Sequence, residues 1–299
     1  MSSNIRGMRH GTVDALHRAV ALHAPPKADR SGLELPLFAL RAGDRKERVY
    51  EDANCRVHII PSTLGAATQH DKDVLLFCIS QLVAARNRGL TIIPRTVVIP
   101  MAAILTYCRR GTGGADYERL MHALTRLRGT TIRTNRITGG REITDGFGLI
   151  DSYRIVRSQK GQRQEEVEVT LSEWLCNAID DLDVLTLDPS YFALRSGLDR
   201  RLYELARKFC GNQRSWPVKV TTLLHKSGSR SCEKDFRRKL RQIIEADSLP
   251  SYRLELDSRG DRVTILARAP DRPSAAVSMK PSIGCQGASA VWARIVENL

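Results

Sequence analysis

The 299-residue chain has no apolar run approaching the roughly 18 residues of a membrane span, and its amino terminus mixes Arg6, Arg9, His10 and Asp14 rather than leading into an apolar signal core. Its seven cysteines are scattered, odd in number and lack a Cys-x-x-Cys pair, which excludes a disulfide framework and a zinc module and predicts a soluble cytoplasmic protein. The 47 Lys and Arg outnumber the 33 Asp and Glu, and the net charge of +14 draws polyanions, of which nucleic acid is the commonest.

Residues 1–34 are predicted to be a flexible arm. A short amphipathic stretch from Val13 to Leu22 ends at Ala24, Pro25 and Pro26, where proline breaks a helix. The globular part is expected in two domains, 35–175 and 176–268. Small residues, prolines and glycines then make 269–299 a mostly disordered tail, with a short helix at Val291 to Val296.

In the first domain, Val74, Leu75, Cys78, Leu82 and Val83 keep helical spacing from Lys72 to Arg88, and Gly89 supplies the stop. A β-branched strand from Arg95 to Pro100 follows, then a helix from Met101 to about Arg109 and a turn at Gly111 to Gly114. The next helix, Asp116 to Leu127, turns Tyr117, Leu120, Met121, Leu124 and Leu127 inward and Arg119, His122 and Arg126 outward. Strands are expected at Thr130 to Arg136, Gly146 to Arg157 and Glu165 to Leu171, with Gly139 and Gly140 at a hairpin tip.

The second domain repeats this order. A helix from Asp199 to Phe209, a strand from Pro217 to Val220, a helix from Thr221 to His225 and a turn at 226–231 precede a cationic helix from Cys232 to Ala246. Tyr252 to Leu256 and Arg262 to Leu266 then pair around Ser258 to Asp261. Helix, strand, helix, turn, helix and hairpin form a winged helix-turn-helix, whose last helix enters the major groove while the hairpin meets the backbone. The expected fold class is therefore α+β, two tandem winged helix-turn-helix domains with flexible arms.

The cationic helix carries the strongest binding signal. Phe236, Leu240, Ile243 and Ile244 recur on one face, and Lys234, Arg237, Arg238 and Arg241 supply the charge. Arg238 and Arg241 could fork onto guanine or clamp phosphate, since a guanidinium presents its donors in a fixed plane. On the first candidate helix Arg119, His122 and Arg126 are the corresponding set. Arg133, Arg136 and Arg141 cluster about the Gly139–Gly140 tip as its wing.

Catalytic readings are weaker. Gly111 to Gly114 lacks the Gly-Lys-Ser/Thr ending of a phosphate loop. Asp180, Asp181, Asp183 and Asp188 could gather a divalent metal, but a helix end and an exposed linker explain them as well, and no metal or cofactor is expected. A nicking enzyme would need a tyrosine nucleophile and a close histidine pair. The seven histidines are isolated, and Tyr153, Tyr191, Tyr203 and Tyr252 lie in apolar patterns. A binding protein, not an enzyme, is expected.

The run Leu187-Asp-Pro-Ser-Tyr-Phe-Ala-Leu194 followed by Gly197 to Gly211 resembles the plasmid replication initiator protein A family. Trp216, Leu223 to Gly228, Lys234 to Arg237 and Leu249 to Tyr252 continue the likeness, and Glu34 to Phe38 with Asp71 to Asp73 extend it upstream. The resemblance implies a plasmid-encoded protein that binds repeated double-stranded DNA sites at a replication origin. It implies opening of the adjacent duplex, recruitment of the host initiator and replicative helicase machinery, and a shift between a repressing dimer and an initiating monomer. A tandem winged-helix transcription regulator shares the basic two-domain build and differs only in what is recruited, and a site-specific nicking enzyme is the second alternative.

Overall fold

The computed structural model describes residues 22–52, 55–138, 141–157 and 165–268. Most of the expected Val13 helix, the Gly139–Gly140 tip, the 269–299 tail and the side chains of Arg136 and Arg141 lie outside that description. The chain divides into two compact units, Met1–Asp29 with Leu37–Leu187 and Arg30–Pro36 with Asp188–Leu299, counting described residues only. No helix among the described residues is long and apolar enough to cross a membrane.

The first unit is built around a helix that is apolar on nearly every side. Its elements, in chain order, are β1 (Lys27–Asp29), β2 (Arg48–Asp52), β3 (Cys55–Ile60), α2 (Lys72–Asn87), β4 (Thr96–Pro100), α3 (Met101–Tyr107), α4 (Gly114–Gly129), β5 (Thr131–Thr138), β6 (Arg141–Gly148), β7 (Ile150–Arg157), β8 (Glu165–Leu171), α5 (Glu173–Asp180) and β9 (Val184–Thr186). The label α1 belongs to Arg30–Glu34 of the second unit. Val74 to Ile79, Leu82 and Val83 of α2 are all buried, so this helix takes neighbours all round: β1, α3, α4 and α5. The Thr68–Asp71 turn starts it. The Thr68 N–H donates to Asp71 Oδ2 at 2.8 Å, and the Asp71 N–H donates to Thr68 Oγ1 at 3.2 Å. Gly89, at φ +103°, ends it in a conformation that a side chain would strain.

Three sheets complete the unit, ordered β2-β3-β5-β6, β4-β8-β7 and β1-β9, all antiparallel. The hairpin expected as the wing of the first domain, β5 with β6, therefore joins β3 rather than β4. The reason is apolar pairing that the sequence reading left unassigned: Ile59 opposes Ile132 and Val57 opposes Thr134, all four buried. The single strand expected over 146–157 is likewise two strands, because the chain leaves one sheet at Gly148 and enters another at Ile150.

The second unit comprises α1 (Arg30–Glu34), a 3₁₀ turn at Pro189–Ala193, α6 (Gly197–Leu205) with a π-turn at Ala206–Cys210, β10 (Ser215–Lys219), α7 (Val220–Ser227), α8 (Glu233–Ala246), β11 (Tyr252–Leu256) and β12 (Arg262–Ala267). Arg201 of α6, fully buried, holds α1 in place. Its guanidinium donates to the carbonyls of Leu33 at 2.7 Å, Glu34 at 2.5 Å and Lys226 at 2.8 Å, and it faces Glu204 at 3.3 Å. Segment 27–34 is thus ordered as strand and helix, in contrast to the arm expected over 1–34. The second boundary also moves. The division falls after Leu187 rather than at 175, since Leu175, Cys176 and Ile179 bury α5 in the first unit.

Each unit contains a helix, a short strand, two helices and a later pair of strands, which in the first unit comes after the intervening β5–β6 hairpin. In each, the second strand of that pair lies between the other two, β4-β8-β7 in one and β10-β12-β11 in the other. Val97 opposes Val169 in the first; Val218 opposes Val263 and Leu254 opposes Ile265 in the second.

Candidate nucleic-acid interface

The α8 helix shows the division of faces that its spacing predicts. Phe236 and Leu240 are fully buried and Ile243 nearly so, each side chain of this kind contributing about 1.5–3 kcal/mol by leaving water. That burial fixes which side faces out. Lys234, Arg238 and Arg241, at i, i+4 and i+7, form an exposed stripe. Arg238 stands 3.5 Å from Asp235 and is 62% exposed, whereas Lys234 and Arg241 have no ion pair among the described residues. Glu233 and Asp235 in the first turn suit the positive end of the helix dipole. Before the helix, Gly228 at φ +69° closes α7, and Lys239 Nζ donates to Ser231 Oγ at 2.8 Å, pinning the turn.

Arg237 is placed differently. Its Nε and Nη2 donate to Glu233 Oε1 at 2.9 and 2.6 Å, and Nη2 also donates to Asp261 Oδ1 at 3.0 Å. Arg237 therefore ties the helix to the β11–β12 turn. Within that turn Asp257 Oδ1 accepts the N–H groups of Asp261 at 2.8 Å and Arg262 at 3.1 Å. Those bonds, the one from Arg262 foremost, hold the Asp257 carboxyl below its ordinary range. Gly260, at φ +74°, lets the backbone lie close to the guanidinium groups of Arg237 and Arg241. Arg253, Arg259 and Arg262 are exposed on this hairpin. The sequence reading did not single them out, although the alternation of Arg253 with Tyr252 and Leu254 carries the signal.

In the first unit α4 occupies the corresponding place, with Leu120, Ala123, Leu124 and Leu127 buried. Arg119 and His122 are exposed, and Arg119 donates to Asp116 at 2.7 Å. Arg126 is not turned outward with them. Its Nε and Nη2 form a bidentate pair with Asp71, both at 2.7 Å, and the side chain is 16% exposed. Hydrogen bonding to Asp71 makes the guanidinium still harder to deprotonate than usual. Arg133 is exposed on β5, opposite His58 and Gly146, on the sheet that excludes β4. The hairpin that shares a sheet with β4 is β7–β8. It carries exposed Arg154, which faces Glu168 at 3.1 Å, and exposed Arg157.

Of the four aspartates at 180–188, Asp188 is engaged within the protein, and the helix end at Asp180 is held by Arg86. Asp188 Oδ1 accepts the Ser190 N–H at 2.8 Å and Oδ2 accepts the Ser251 hydroxyl at 2.8 Å, while Arg86 donates to the carbonyls of Ile179 and Asp180. Among the described residues no three His, Cys, Asp or Glu side chains are grouped to hold a metal ion.

Comparison with known proteins bears on the family and the fold. The family model described as replication initiator protein A matches residues 27–254. A curated protein of Wigglesworthia glossinidia brevipalpis, named "Putative replication protein", is 34% identical over 238 residues, covering 79% of this chain and 86% of that one. Among solved structures, domains 2 and 3 of RctB align with TM-score 0.58 at 12% identity, over 81% of this chain and 99% of that one. A second structure of RctB domains 2–3 gives TM-score 0.54 at 11% identity, over 79% and 95%. At such identities the likeness concerns the fold, an α+β arrangement shared with those domains.

Proposed function

Since the chain belongs to the replication initiator protein A family, we propose that it initiates plasmid replication by binding repeated double-stranded sites at the origin through two winged helix-turn-helix units. The observation that carries this reading is the stripe of Lys234, Arg238 and Arg241 on α8, held beside the β11–β12 turn by Arg237. A rigid helix with one apolar and one cationic face beside a hairpin suits a duplex, whose groove admits the helix while its phosphates flank it. In this reading the three-stranded order common to both units supports α4 and α8 as recognition helices, with β7–β8 and β11–β12 as wings.

The protein acts mechanically. Binding energy from neighbouring copies on the repeats offsets the cost of bending and unpairing the adjacent DNA, and host initiator and helicase proteins are then recruited. No bond in the DNA is broken, and the chain needs no metal or cofactor for this work. A repressing dimer and an initiating monomer fit the same scheme.

Footprinting of the origin on the encoding replicon tests the proposal. Repeated protected sites are expected, and they should vanish in the Arg238→Ala/Arg241→Ala variant while its melting temperature is retained. An unchanged footprint in that variant would place the interface elsewhere. Two further assays separate the alternatives. Supercoiled origin DNA incubated with the protein and magnesium should stay unnicked, and the origin supplied with the gene on a marker plasmid should establish a replicon. Efficient nicking would favour an enzyme, and specific binding without a replicon would favour a transcription regulator.

A further inference from the structure

Helices α2, α3 and α4 of the first unit leave a cleft of about 410 Å³ beneath the loop that carries Leu40, Arg41 and Ala42. Its floor is apolar: Val74 from α2, Ile104 and Leu105 from α3, Leu120 and Ala123 from α4. Such a surface favours an uncharged organic body over water. The charged lining is nearly self-neutralised. Asp71 pairs with Arg126, Asp73 with Arg110 and Asp116 with Arg119, each at 2.7 Å. Arg41, exposed at the mouth, has no acidic partner among the described residues. Four arginines against three aspartates leave the cleft with one net positive charge, His70 and His122 counted as neutral.

We propose that this cleft binds a small organic anion, an apolar ring or chain bearing a single acidic head group, and that the occupant weakens the hold of α4 on DNA. The apolar floor takes the body and Arg41 the head. A bare inorganic anion would leave the floor unsatisfied, and a neutral ligand would leave Arg41 unused. The regulatory part follows from Arg119 and His122, which line the cleft and also lie on the exposed face of α4. A head group held by Arg41 adds a negative charge to the cleft that Arg119 and His122 also line, and so opposes the approach of a phosphate to that face of α4. This second part rests on the DNA-binding reading above; the binding site itself does not.

The full-length protein titrated with anilinonaphthalene sulfonate, an apolar ring system with one sulfonate, tests both parts. Fluorescence should rise to saturation at a single site per chain. Ala42→Trp, a change at an exposed position on the cleft wall, should abolish the signal without affecting melting. Arg41→Gln should weaken binding about tenfold, the effect of losing one charge-assisted hydrogen bond, and Arg41→Glu, which adds repulsion, by more. Absence of saturation, or a signal that persists in Ala42→Trp, overturns the site. With origin DNA, the probe and the duplex should weaken each other by the same factor, as linkage requires. DNA that binds without changing probe affinity overturns the regulatory part. Failure of any DNA to bind refutes the proposed function and leaves the cleft to be judged by the fluorescence alone.

Discussion

Arg126 and Arg238 present the same guanidinium from helices in corresponding positions, but their surroundings assign them different work. Arg126 closes on Asp71, whose side chain is only 5% exposed and also accepts the Thr68 N–H. Removing the arginine strands that carboxylate, so Arg126→Ala should cost about 3 kcal/mol of stability in urea denaturation. Arg238→Ala should change it by less than about 0.5 kcal/mol, because the side chain is well exposed. Equal stability of the two variants would refute the distinction. Asp257 gives a pH-dependent counterpart. Its folded pKa lies below the ordinary 3.8, so its contribution is complete above the unfolded value and is lost as pH falls through the folded one. The amide resonances of Asp261 and Arg262 should therefore hold steady from neutrality down to about pH 4 and shift below it. A shift centred near neutrality would show that another group controls the turn.

At the scale of elements, Gly148 decides how the first unit is assembled. A Cβ there would lie 2.7 Å from the Ile150 carbonyl oxygen and 3.3 Å from that of Arg128, both backbone atoms that cannot swing aside. The close passage is what lets the chain step from β6 directly into β7 and so into a different sheet. Gly148→Ala should cost about 1–3 kcal/mol in denaturant melts. Gly146→Ala, two residues earlier with nothing within 4 Å, should be nearly neutral. Comparable losses at both sites would contradict this account. The same junction explains what the sequence could convey. Helices α2, α4 and α8 are legible from apolar spacing with glycine or turn residues at their ends, and the cationic stripe of α8 is legible with them. The pairing of β5 with β3 is not, since alternation identifies a strand without naming its partner. For the same reason Arg133 reads as part of a wing until the register puts it on another sheet. Nor does spacing reveal that Arg126 has Asp71 within reach, an approach created by packing residues 55 positions apart.

For the whole molecule, a net charge of +14 is a poor guide to where DNA would bind, because it does not say which of the 47 Lys and Arg are paired with carboxylates and which are not. Arg119 faces Asp116, Arg237 faces Glu233 and Asp261, and Arg268 faces Asp247. The α8 stripe sets Lys234 and Arg241, which lack such partners among the described residues, with Arg238 on one exposed helix face, so that their charge is available to phosphate. Salt dependence measures this directly. Each phosphate contact releases condensed counterions and adds about 0.9 to the slope of log affinity against log salt. Replacing Lys234, Arg238 and Arg241 by alanine should lower that slope by about 0.9 for each residue that touches phosphate. Any of the three that reads a base should instead lose affinity for the origin repeat while binding scrambled duplex as before. Anisotropy titrations of the full chain on both duplexes over a range of salt separate the two roles residue by residue. If the triple variant keeps both its slope and its preference for the repeat, the DNA does not lie along α8, and the exposed arginines of β7–β8 become the surface to test.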